Sequence, residues 1–145
     1  MQNLLISACL LGYCCRYDGS NNGPIPELLA LKRRYHLIPI CPEQLGGLKT
    51  PRLPAERLGD RVINGEGTDI TAEYERGANE ALRMARLFGC TAAILKSRSP
   101  SCGPTEVYDG TFTHSVVQRP GTTAELLTKN GLTVVDETQI AQFLG

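Results

Sequence analysis

Apolar positions fall along this chain in two alternating patterns. Short unbroken runs, of which Leu4-Leu5-Ile6 is the first, suit strands buried on both faces of a parallel sheet. Longer stretches with apolar residues every three or four positions suit helices packed by one face. Asn3–Ala8 predicts a strand that ends directly in Cys9, and a loop rich in Gly, Asn, Ser and Asp follows from Gly12 to Gly23. Pro26 then opens a short helix to about Tyr35, with Leu28, Leu29 and Leu31 on its apolar side. His36–Ile40 predicts a second strand that ends in Cys41-Pro42-Glu43, and residues 44–67, without a period, read as a long functional loop. The clearest helix starts at Thr71, read as its N-cap, carries Tyr74, Ala78, Ala81, Leu82, Ala85 and Phe88 on one stripe, and is closed by Gly89.

Thr91–Lys96 predicts a third strand, running into Ser97-Arg98-Ser99-Pro100-Ser101-Cys102-Gly103. Val107–Val117 reads as a hairpin turned at Asp109-Gly110. A helix from Thr122 to about Asn130, a strand at Leu132–Val135 and a closing helix at Glu137–Leu144 complete the chain. The alternation predicts one α/β domain over residues 1–145: a mostly parallel open sheet with flanking helices in Rossmann-like layers, plus a small hairpin.

Composition narrows the function classes. With 145 residues, 41% of them hydrophobic and 21% charged, the chain matches an ordinary soluble domain. Fifteen Lys and Arg balance 15 Asp and Glu, so no overall positive field attracts nucleic acid. No apolar run is long enough to span a bilayer and no export signal opens the chain, so a cytoplasmic protein with neither a membrane nor a nucleic-acid partner is expected.

Six cysteines are many for such a chain, and in a reducing cytoplasm they point to metal or thiol chemistry rather than disulfides. Cys9, Cys41 and Cys102 each follow a predicted strand. In an open parallel sheet the carboxyl ends of the strands share one edge, where ligands bind, so three thiols distant in sequence are expected to meet there. Three thiolates suit a soft metal and leave a coordination position open: a zinc ion, or an iron–sulfur cluster lacking its fourth cysteine. Glu43, two residues after Cys41, is a candidate proton donor or acceptor. Ser99 and Ser101 both offer a hydroxyl to a water or substrate oxygen.

The segments Ser7-Ala8-Cys9-Leu10-Leu11-Gly12, Cys15-Arg16-Tyr17-Asp18-Gly19, Cys41-Pro42-Glu43 with Gly46-Gly47 and Thr50-Pro51-Arg52, Lys96, Arg98-Ser99-Pro100-Ser101-Cys102-Gly103 and Tyr108-Asp109-Gly110 together resemble the thiouracil desulfidase (TudS) family. The resemblance covers almost the whole chain. It implies a bacterial cytoplasmic enzyme whose [4Fe-4S] cluster is held by three cysteines, with the fourth iron taking sulfur from a thiolated pyrimidine without net redox change. Carried over, the ligands are Cys9, Cys41 and Cys102, Glu43 is the acid/base, and Ser101 helps position substrate or water, with Ser99 competing for that role. Some relatives act on thiolated tRNA with a second domain. The neutral charge and length here favour a free base or small nucleoside as partner.

Each residue also has a plainer reading. Cys90 fits a buried core thiol. Cys14 and Cys15 are adjacent and cannot easily face one metal, although Cys15 falls within a family-like segment as a cluster neighbour or resting-state ligand. Glu43 after a proline fits a local cap. Arg52 and Arg98 fit surface pairs or contacts to a substrate oxygen. Tyr17 and Tyr108 fit stacking on a pyrimidine or the edge of the core, and His36 and His114 fit packing or solvent. The competing functions are a zinc- or thiol-dependent hydrolase in the same crevice and a non-enzymatic metal-binding protein.

Overall fold

The computed structural model describes residues 1–145. The chain runs through β1 (Gln2–Ser7), α1 (Leu28–Arg34), β2 (Tyr35–Ile40), α2 (Pro42–Leu45), β3 (Ala55–Leu58), β4 (Arg61–Asn64), α3 (Thr71–Leu87), β5 (Ala92–Ile94), β6 (Val107–Tyr108), β7 (Val116–Val117), α4 (Thr122–Lys129) and β8 (Thr133–Val135). Single 3-10 turns occupy Ala8–Leu11 and Ile140–Phe143, so the predicted closing helix is one short turn and Cys9 lies within a turn rather than in open loop.

Four strands form a parallel sheet in the order β2-β1-β5-β8. The two-residue period of β1 sends Leu5 to one face and Leu4 and Ile6 to the other, each at most 1% exposed. Leu5 joins a core with Ala81, Leu82 and Ala85 of α3 and Ala124 and Leu127 of α4. Leu4 and Ile6 join Leu31 of α1, Leu10, Ile25 and Ile140 on the opposite face. Burial of each of these large side chains stabilises the fold by roughly 1.5–3 kcal/mol. The result is the expected three-layer α/β arrangement. Cys90 sits in the first core, 7% exposed, as its plain reading predicts.

The chain leaves β1 for β2 on one side and later crosses back to β5 on the other. That reversal makes the carboxyl end of β1 a switch point, where open α/β sheets form their ligand crevice.

The structure departs from several expectations. Residues 44–67 are not one loop: β3 and β4 pair antiparallel within them. The hairpin does not turn at Asp109-Gly110, because Val107 pairs with Val117 and Tyr108 with Val116, leaving residues 109–115 as a longer connection. The cause is Glu56, whose buried carboxylate accepts the N–H groups of Gly110 and Phe112, both at 3.1 Å. Thr71 is the first helical residue rather than the cap. Asp69 takes the capping part, accepting the Thr71 N–H at 2.9 Å and hydroxyl at 2.6 Å, while Thr71 Oγ1 accepts Val62 N–H at 2.9 Å.

Helix α2 lies unusually close to α3. A Cβ on Gly77 would fall 1.9 Å from the Pro42 carbonyl oxygen, and one on Gly46 would fall 2.0 Å from the Glu73 carbonyl oxygen. Two glycines thus let the backbones touch, and the turn carrying Cys41 and Glu43 is pressed against α3.

Candidate active site

A crevice of about 620 Å³ opens at the switch point. Its walls include Cys9, Cys41, Cys102 and Glu43, the residues expected to meet, together with Cys15 and Tyr74. Cys9 and Cys41 come directly off β1 and β2. Cys102 arrives differently: β5 ends at Ile94, and a loop through Arg98, held at φ 61°, returns the chain to the sheet edge.

Each thiol is fixed by neighbours. Asn22 Nδ2 donates to Cys9 Sγ at 3.2 Å. Ser7, 2% exposed, accepts Lys96 N–H at 3.0 Å, so its hydroxyl joins the ends of β1 and β5 beside Cys102, whose thiol it acts to lower. Cys41 Sγ stands 3.7 Å from the Cys15 carbonyl oxygen. Burial pushes the Cys9 and Cys102 thiols upward, and repulsion from the other crevice thiolates adds to it. The Cys41 thiol is instead lowered, first by the hydrogen bond from Cys15 and then by the Gln44 N–H, while Cys15 is raised by the same contact.

This donor set fits a soft metal group: Cys102, buried, and the half-buried Cys9 and Cys41 have charged forms that repel one another around a shared space, a repulsion that bound cationic iron removes. No three His, Cys, Asp or Glu side chains are placed to grip a single ion. A lone zinc needs its sulfurs at about 2.3 Å, whereas a cluster brings its own atoms to the space between the cysteines. Cys14 is exposed and absent from the crevice wall, and Asn21 Nδ2 lies 3.6 Å from its sulfur.

Glu43 is held on both oxygens. Tyr74 donates its hydroxyl to Oε1 at 2.9 Å, and Arg52 donates Nε at 2.8 Å and Nη2 to Oε2. Arg52 also reaches the Cys15 carbonyl at 2.8 Å and Thr50 Oγ1 at 2.9 Å. Its planar fork is therefore committed to protein partners, tying the Cys15 loop to the Glu43 turn, and is not left for a substrate oxygen. Burial works against the Arg52 charge, but Glu43 outweighs it and the guanidinium is raised further. Tyr74 is raised well above an ordinary phenol, by burial first and then by Glu43, which keeps it a donor.

The two serines separate. Ser99 lines the crevice, and its Oγ accepts Ser101 N–H at 3.2 Å and Cys102 N–H at 3.0 Å. Ser101 is 1% exposed and does not line the crevice. Its hydroxyl meets Thr123 Oγ1 at 2.7 Å, and its carbonyl accepts the Thr123 and Ala124 N–H groups. It caps α4 and anchors the Cys102 loop there. Arg98, on the rim, pairs with Glu106 at 3.0 Å, with its side chain 56% exposed. Tyr17 also stands at the rim under Arg16, whose guanidinium is 5.7 Å from the ring centre. His114, expected to be peripheral, reaches the crevice wall edge-on to Tyr108, whereas His36 is exposed on the edge strand β2.

Sequence reasoning missed the contacts of Ser7 and Asn22 and the reach of Tyr74 to Glu43. The first two are ordinary polar residues beside a cysteine, and Tyr74 is indistinguishable from its apolar stripe until α2 is seen against α3.

Fold and site together define an α/β protein with a cysteine-lined crevice and a carboxylate at the switch point of its sheet. The 2-thiouracil desulfurase family profile matches residues 4–139, and the chain belongs to that family. It is 39% identical to the uncharacterized protein YbbK of Bacillus subtilis (strain 168), over 97% of this chain and 99% of that protein. Among solved structures it is similar to the [4Fe-4S]-dependent thiouracil desulfidase TudS, with a TM-score of 0.93 and 41% identity over 98% of this chain and 95% of that one. No helix is long and apolar enough to cross a membrane.

Proposed function

We propose that this protein removes the sulfur of a thiolated pyrimidine, 2-thiouracil or a small nucleoside of it, giving the carbonyl compound and sulfide. The observation that carries the reading is the meeting of Cys9, Cys41, Cys102 and Glu43 in one crevice of a chain from the 2-thiouracil desulfurase family. Cys9, Cys41 and Cys102 hold a [4Fe-4S] cluster, a cofactor supported by the likeness to TudS, which is itself [4Fe-4S]-dependent. When bound, such a cluster supplies an iron without a protein ligand, a soft Lewis acid for the sulfur. A reducing cytoplasm keeps the six thiols, all free, available for it.

The rest belongs to the chain's own side chains. In the net reaction, water oxygen bonds to the ring carbon, the carbon–sulfur bond breaks, and both water protons leave with sulfide or return to the ring, so no electrons are exchanged. Glu43, paired with Arg52, takes the proton of the attacking water and returns it to the departing sulfur or a ring nitrogen. Ser99, whose oxygen accepts two backbone N–H groups, keeps its hydroxyl proton for a substrate atom. Tyr17 and Arg98 stand at the rim, where the pyrimidine enters. The balanced charge of the chain supports a small molecule over a phosphate backbone.

The test is turnover of 2-thiouracil by the cluster-loaded protein in ¹⁸O-water. Uracil carrying the heavy oxygen at the former sulfur position supports the reading; no uracil, or uracil without the label, refutes it.

A further inference from the structure

A carboxylate offers about four lone-pair positions. On Glu43, Arg52 occupies Oε2 with both Nε and Nη2, and Tyr74 occupies one position on Oε1. The position left open is on Oε1, so the oxygen free to exchange a proton at the crevice is the one that Tyr74 holds. The terminal torsion of a glutamate is broad and nearly two-fold, so an anchor on one oxygen alone leaves the other able to swing. Anchors on both oxygens remove that freedom.

Tyr74 is well placed for this. Its ring fills the apolar stripe of α3, 3% exposed, which a phenylalanine would fill equally. A buried hydroxyl without a partner costs stability, and Glu43 is the partner that the structure provides. The close contact of Gly46 and Gly77 brings the two residues within reach.

We propose that Tyr74 is a positioning residue for Glu43, its phenol fixing Oε1 toward the crevice while Arg52 fixes Oε2. This rests on the reading of Glu43 as the proton-transfer group. Arg52, read from sequence as a contact to substrate, belongs to the same support.

The test combines Tyr74→Phe, Glu43→Gln and the double variant in cluster-loaded protein, with a crystal structure of Tyr74→Phe. The expected result is a kcat for 2-thiouracil lowered about tenfold in Tyr74→Phe, a fraction of what a whole acid–base group contributes, with KM and iron content unchanged. In the Glu43→Gln background the same change adds no further loss, because Tyr74 acts only through Glu43. A purely structural role predicts instead losses that multiply. Full kcat in Tyr74→Phe, or multiplied losses, overturns the proposal. The crystal structure decides positioning without reference to turnover: a Glu43 carboxylate in two orientations supports it and the single wild-type orientation overturns it. Failure of the functional reading, seen as no uracil from wild type, is thereby distinguished from failure of this one.

Discussion

Replacing Gly77 by alanine sets two effects against each other. Helix propensity alone favours alanine by about 1 kcal/mol in a helix interior. The new Cβ, however, would lie 1.9 Å from the Pro42 carbonyl oxygen, a backbone atom that cannot rotate away. Relief requires α2 and α3 to separate by more than about 1 Å, and overpacking of this kind costs about 1–3 kcal/mol or more. Taking the upper end, the net loss is about 2 kcal/mol, a fall in Tm of about 4–8 °C for a chain of this length. The displaced segment carries Cys41 and Glu43, and Tyr74 lies one turn before Gly77, so iron content and turnover fall together. Gly65→Ala is the control, since its Cβ would meet nothing closer than 3.6 Å. Thermal unfolding with iron analysis of both variants decides the matter. Wild-type stability and iron content in Gly77→Ala would refute the claim that backbone contact places the site.

Other expectations follow from single residues. Glu43→Gln should lower turnover by roughly 10²–10⁴-fold with iron retained, and unchanged turnover would remove its acid–base role. Cys9→Ser, Cys41→Ser and Cys102→Ser should each bind little iron after anaerobic reconstitution, whereas Cys90→Ser, altered in the core, should bind it fully; the reverse pattern refutes the ligand set. The Asp69 carboxyl is held down at about 2, first by the Thr71 hydroxyl, then by the Thr71 N–H and by Arg61. Being lower in the folded chain than the ordinary value of about 3.9, it stabilises above that pH and its contribution disappears as pH falls toward 2. Asp69→Asn should therefore melt below wild type at pH 7 and together with it near pH 2; a gap independent of pH contradicts this.

The sheet and its thiols were legible because their signals are local. Leu4-Leu5-Ile6 announces a buried strand, the Tyr74–Phe88 stripe announces a helix, and a cysteine beyond a parallel strand has only one edge to reach. The β3–β4 hairpin was hidden by charge: Glu56 and Arg57 are buried, 8% and 4% exposed, where a strand pattern leads one to expect apolar residues. Their partners, the 109–115 connection for Glu56 and Pro120 and Glu125 for Arg57, lie far along the chain. The Gly59-Asp60 pair between the strands was the available turn signal. Ser101 reads differently in the structure, since a hydroxyl beside a crevice cysteine looks chemical in sequence and here caps a helix. Tyr74 needed the crossing of α2 and α3, which no periodicity encodes.

The central claim is that Cys9, Cys41 and Cys102 hold a cluster that works with Glu43 on a thiolated pyrimidine. Anaerobic reconstitution followed by iron and sulfide analysis, then incubation with 2-thiouracil in the same tube, tests it most directly. About four irons per chain, with uracil and sulfide released in equal amounts over many turnovers, is the predicted result. Zinc in place of iron, or a full cluster that leaves 2-thiouracil intact, would contradict it.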